Sequence, residues 1–260
     1  MEDNIFDKLR DLTGKFPEKL NILEEQIDIK VQMEYFKFSK KLKSNKNEPL
    51  HIDADNIPNI DLEIHSPAEI KEILITLAGI DDARAYRFIE EYVKIATVPL
   101  KDWAILALQE SKMLLESSLL DENQIFISTG LGGKGNMLRY FVVIIGEGIE
   151  EFEAFQQKMV ASEFEFALKK NNCELEKIEF QEKFATLMAL IPFDVPFQKV
   201  IRQTLEECNQ YGNFIKPNFL VTNVKPLTLK EIKEFVTKNE LPDKGEYDKL
   251  ELDTTTNDDE

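Results

Sequence analysis

The sequence predicts an α+β protein: a helical region over residues 1–122, a domain of mixed strand and helix over 123–240, and an acidic tail over 241–260. Three observations carry this reading. Apolar residues recur at three- and four-residue steps from Leu20 to Leu119, the mark of helices with one buried stripe. The stretch Gln124–Gly146 interrupts that pattern with two apolar runs around Gly130-Leu-Gly-Gly-Lys-Gly135. Beyond it, short apolar runs alternate with helical stripes in the order β-α-β-β-α-β.

Residues 4–13 predict a short amphipathic helix, and a longer one is expected after Pro17. Its stripe is Leu20, Leu23, Ile27, Val31, Tyr35, Phe38 and Leu42. Glu18, Glu24 and Glu25 come early and Lys37, Lys40, Lys41, Lys43 and Lys46 late, as the helix dipole favours. From Ser44 to His65 the pattern dissolves into a polar connector. His51, Asp53, Asp55, Asp61, Glu63 and His65 gather potential ligands there. Ile57 and Pro58 occupy the places where a calcium loop needs an oxygen ligand and a glycine, so no metal site is expected.

Three punctuated helices follow. Ser66-Pro67-Ala-Glu69 is a capping box with proline at the first helical position, heading a stripe of Ile70, Ile73, Leu74 and Leu77 that stops at Gly79. Asp81 is expected to cap the next, with Ala85, Phe88, Ile89, Tyr92, Val93 and Ala96 as its stripe. Pro99 opens the third, whose buried side is predicted to hold Trp103, Leu106, Ala107, Met113, Leu114 and Leu119. Val98–Leu120, with Pro99 early and Trp103-Ala104 following, resembles a HEAT-type helical hairpin. The resemblance covers about sixty residues and implies face-to-face packing of antiparallel helices.

After the glycine loop, Met137–Ile145 reads as a strand and Glu150–Lys170 as a helix with Phe152, Phe155, Met159 and Phe166 on one side. Leu175–Phe180 and Phe184–Ile191 read as strands joined by Gln181-Glu182-Lys183. Asp194 is expected to cap a helix through Val200, Ile201, Leu205 and Cys208, and Phe214–Val221 reads as the last strand. This is the ferredoxin-like order. A further helix starts at Thr228, whose capping box Glu231 completes. Met137–Ile145 is apolar on both faces beyond Arg139, so both faces should be covered, one by the two helices and the other by the N-terminal helices or a second copy. In a ferredoxin-like sheet this strand is central, so Gln124–Thr129 cannot pair along its whole length.

Composition narrows the function. The chain has 260 residues, 43% of them hydrophobic, and a net charge of −17. Such an acidic surface repels phosphate backbones, so nucleic-acid binding is not the expectation. The strand Lys183-Phe-Ala-Thr-Leu-Met-Ala-Leu190 also lacks the glycine and second aromatic with which RRM sheets of the same order stack bases. No run approaches the roughly 18 apolar residues of a membrane helix. The start Met-Glu-Asp-Asn does not read as a signal peptide, and Cys173 and Cys208 stand apart without metal spacing. A cytoplasmic location is expected.

The glycine loop is the one candidate for phosphate chemistry. Gly130, Gly132, Gly133 and Gly135 could bring backbone N–H groups close to an anion that Lys134 and Arg139 neutralise. The motif lacks the Lys-Ser/Thr ending of a Walker loop and leads into a strand, not a helix, so a hairpin turn with glycine supplying positive φ is the competing reading. A basic contact patch is expected at Lys37, Lys40, Lys41 and Lys43. The two histidines lie in the connector, and Glu150, Glu151 and Glu153 cluster at a helix start, so no catalytic residues and no cofactor are nominated. The expected function is a non-enzymatic binding or regulatory protein acting through protein–protein contacts, with an unknown protein partner or a homodimer. The alternatives are a nucleotide- or anion-binding protein using Gly130–Gly135, and a ribosome- or RNA-associated factor using the lysines.

Overall fold

The described part of the chain begins as a strand, where a helix was expected. In the computed structural model, which describes residues 20–44, 52, 57, 64–120 and 125–238, β1 (Leu20–Ile22) pairs in parallel with β2 (Ile125–Ile127). Leu23 N–H extends the pairing to the Ile127 carbonyl at 3.0 Å. The spacing of Leu20, Leu23 and Ile27 suits a helical stripe, but a backbone partner far along the chain satisfies Leu20–Ile22 as a strand and leaves Ile27 in the connection that follows. The expected helix over 4–13, the connector ligands from His51 to Glu63 and the acidic tail lie outside the described residues.

α1 (Ile29–Ser44) therefore starts at Asp28 and not near Pro17. Asp28 Oδ1 accepts from Lys30 N–H at 2.7 Å and its carbonyl accepts from Gln32 N–H at 3.1 Å, the two tasks of an N-cap. Glu24 and Glu25 are left in the β1–α1 connection. α2 (Pro67–Ala78) carries the expected capping box: Ser66 N–H donates to Glu69 Oε2 at 2.8 Å and Glu69 N–H to Ser66 Oγ at 3.4 Å. α3 (Ala83–Ile95) is capped by Asp82, one residue beyond the expected Asp81, through Arg84 N–H at 2.7 Å. On α4 (Leu100–Leu120), Trp103, Leu106 and Ala107 are buried as expected, while Leu119 is 82% exposed. These helices share a core around Leu23, Tyr35, Leu74, Leu77, Ile89 and Trp103. Tyr35 and Phe38 meet the Trp103 ring edge-on at 5.4 and 5.8 Å.

The second half combines helices with an antiparallel sheet. β3 (Gly133–Lys134), β4 (Met137–Gly146), β5 (Glu174–Gln181), β6 (Phe184–Pro192) and β7 (Ile215–Thr222) form it, in the order β5–β6–β4–β7. β6 takes one edge of β4 from Met137 to Ile145; on the other, β3 pairs at Met137–Leu138 and β7 from Phe141 onward. Both edges being occupied, β2 finds its partner in β1 outside this sheet. Val142, Ile144, Ala185, Leu187 and Ala189 pack against α5 (Ala154–Lys170) and α6 (Phe197–Asn209). The opposite face is buried too, with Val143, Ile145, Phe184 and Leu190 at 1% exposure or less.

Two helix starts differ from expectation: α5 begins at Ala154, not Glu150, and α6 has Pro196, not Asp194, at its N-cap. The larger correction concerns which side of α5 is inside. Val160, Phe164 and Leu168 face the sheet, whereas Phe155 and Phe166 are 58% and 66% exposed. Phe152 precedes the helix and packs edge-on against Phe180 and Phe214. α5 carries two apolar stripes on opposite sides, and only one can meet the sheet.

The chain divides into two compact units, Met1–Pro226 and Leu227–Glu260. The second contains α7 (Leu229–Lys238), headed by the expected box: Thr228 N–H donates to Glu231 Oε2 at 2.8 Å and Glu231 N–H to Thr228 Oγ1 at 3.3 Å.

Candidate functional site

The glycine loop is a junction of three chain segments distant in sequence. Thr129 to Gly133 are buried. A Cβ on Gly130 would overlap the Val224 carbonyl, and one on Gly132 would overlap the backbone of Glu24 and Glu25. A Cβ on Gly133 would meet the Met137 carbonyl and the Ile22 side chain. Three of the four glycines are thus there to let backbone approach backbone. The fourth, Gly135, has open space around it and φ of +56°, and with Asn136 it makes the β3–β4 hairpin turn. A hairpin does form at this loop, but its first strand is Gly133–Lys134 and not Gln124–Thr129.

The donors that an anion would use are directed at protein acceptors. Leu131 N–H donates to Asn223 O at 2.9 Å, Gly132 N–H to Thr129 O at 3.3 Å and Gly133 N–H to Glu24 O at 3.3 Å. Gly135 N–H donates to Glu24 Oε1 at 3.0 Å. Buried Gln32 completes the junction, its Nε2 donating to Ile27 O at 2.8 Å and Thr129 O at 3.1 Å.

Both cations of the motif sit beside carboxylates. Arg139 Nε and Nη2 donate to the two Glu176 oxygens at 2.6 and 2.8 Å, and Nη1 donates to Leu131 O at 2.8 Å. Lys134 Nζ donates to Glu174 Oε2 at 2.9 Å. These hydrogen bonds, reinforced by the carboxylate charges, push both pKa values up and hold both groups cationic. The sequence places Lys134 and Arg139 correctly beside the loop; it gives no sign of Glu174 and Glu176, which arrive on β5 across the sheet.

The basic end of α1 is arranged differently. Lys43 pairs with Glu110 of α4, which also accepts from Tyr35 Oη at 2.6 Å and Ser39 Oγ at 3.3 Å. Burial first, then the Glu110 charge, raises the Tyr35 pKa well above its ordinary value. Lys37, Lys40 and Lys41 have no ion pair among the described residues. Phe36, Ser39, Lys40, Lys43, Ser44 and Glu110 line a shallow depression there.

The surface that sequence reasoning missed is the outward side of α5. Phe155, Ser162 and Phe166 are exposed at helical spacing on the side opposite Val160, Phe164 and Leu168, and Met159 at its edge is partly buried against the core. The signal was legible as a second stripe, yet a stripe does not say which way it faces. Cys173 and Cys208 are buried free thiols, their pKa values pushed up by burial to about 11 and about 12. Among the described residues no cluster of His, Cys, Asp or Glu is arranged for a metal ion, and no helix is long and apolar enough to cross a membrane.

No protein-family model matches the chain, and no curated protein matches it in sequence. Among solved structures it is similar to a REP-associated tyrosine transposase bound to a REP hairpin, at 12% identity and a TM-score of 0.29. The match spans 38% of this chain and 61% of that one, less than two thirds of its length. A likeness this slight carries no argument about fold or activity.

Proposed function

We propose that this is a non-enzymatic binding protein acting through protein–protein contacts, with the outward side of α5 as a contact surface. The observation that carries the reading is the pair Phe155 and Phe166, both more than half exposed on one side of a helix whose other side is anchored in the core. Exposed aromatic side chains on a rigid element are a usual feature of protein contacts. The strand order β5–β6–β4–β7, with α5 and α6 on one face, supports a ferredoxin-like domain as the frame. Paired donors and paired cations make the glycine loop a poorer phosphate site than its composition promises. The exposed lysines of α1 work against a net charge of −17 in drawing a polyanion.

A photo-cross-linking residue at Phe166 should capture a discrete protein species in native cells, while the same group at exposed Lys112 of α4 should not. Capture at neither position overturns the reading. Thermal stabilisation by ATP or GTP that disappears in Lys134→Ala would move the assignment to the nucleotide-binding alternative.

A further inference from the structure

We infer that the partner on this face is a second copy of the same chain, the two α5 helices packing antiparallel about a two-fold axis that passes between Val160 and Ala161. The inference rests on the protein–protein reading above and names the occupant of the surface.

A two-fold interface must be complementary to itself, and α5 is. In this register Phe155 lies level with Phe166 of the second copy, and Met159, partly buried against its own core, with the second copy's Ser162. At about 100° per residue these four positions fall on one narrow arc of the helix. The small Ser162 leaves room for close approach at the centre, and the two phenylalanines, roughly three turns apart, stack at both ends of the seam.

The charges follow the same symmetry. Lys158 and Glu165 are exposed and lie on one flank of the stripe. An antiparallel two-fold brings like flanks together, so each Lys158 meets the second copy's Glu165. Among the described residues neither group has an ion pair within its own chain, so both are available across the seam. The opposed helix dipoles add to the attraction. One helix pair falls short of the roughly 800 Å² per partner of a standard interface, so the dimer depends on concentration.

The test is sedimentation equilibrium of the full chain over a range of concentrations. Phe166→Glu should weaken the dimer about a hundredfold, since the substitution acts twice in each dimer. Lys158→Glu alone and Glu165→Lys alone should each weaken it about tenfold by placing like charges across the seam. An equimolar mixture of those two variants should associate more tightly than either by itself, because every crossing pair again has opposite signs. Circular dichroism of each variant checks that these exposed substitutions leave the fold intact. Three results would overturn the inference: a monomer at every concentration, a dimer indifferent to Phe166→Glu, or a mixture no tighter than its components. A monomer that still captures another protein at position 166 overturns the second-copy inference alone, whereas a monomer with no capture overturns the protein-binding reading as well.

Discussion

The glycine loop and the outward side of α5 are opposites. The loop has the residues of a binding site, yet Gly130, Gly132 and Gly133 are filled by Val224, Glu24 and Met137 backbone, and Lys134 and Arg139 by carboxylates. The outward side of α5 matches no motif, yet Phe155 and Phe166 stand exposed on it. Binding capacity depends on groups left unsatisfied by the fold, and residue type alone does not report satisfaction. A motif rich in donors is as useful for holding a chain together as for holding a ligand.

The sharpest way to break this comparison is to add one methyl group to the junction. Gly130→Ala should cost about 3 kcal/mol or more, because the colliding atoms are main chain and cannot rotate away. Gly135→Ala has open space and should cost only about 1 kcal/mol, the strain of positive φ. Equal losses in chemical denaturation would mean that the loop is not a packed junction.

The Glu110 cluster tests whether the basic end of α1 belongs with the closed or the open region. Glu110→Ala leaves the buried Tyr35 hydroxyl without its acceptor and should cost about 2 kcal/mol. The pH dependence follows from the raised Tyr35 pKa. Between the ordinary value of 10.0 and the higher folded value, only the unfolded chain releases this proton, so stability is whole below pH 10 and falls as pH rises above it. Tyr35→Phe should flatten that alkaline slope. A slope unchanged in Tyr35→Phe would assign it to other groups.

The smallest effect is expected on the open side. Phe166→Glu in the dilute chain should change the unfolding free energy by no more than about 0.5 kcal/mol, since the side chain has little to lose on a surface. A loss comparable to that of Gly130→Ala would place Phe166 in the core and remove the contrast.

Much of the architecture was legible in the residues because its signals are local. Ser66 with Glu69 and Thr228 with Glu231 mark helix starts through bonds spanning three positions, and both boxes form. β4 was legible as a strand buried on both faces because its apolar run is unbroken beyond Arg139. Errors appeared where the deciding partner lies far away. Asp28 rather than Glu18 heads α1 because the preceding residues are taken up by β2.

By itself, then, the sequence determined the starts of α2 and α7, the order of strands and helices after the glycine loop, and the double burial of β4. These follow from backbone hydrogen bonds and side-chain periodicities contained within a few residues. Only the tertiary structure decided that Leu20–Ile22 is a strand, that Val160, Phe164 and Leu168 are the inner stripe of α5, and that the glycine loop is closed. Each of these depends on a partner absent from the local window: the backbone of β2 for Leu20–Ile22, the sheet for α5, and Glu24, Val224, Glu174 and Glu176 for the loop.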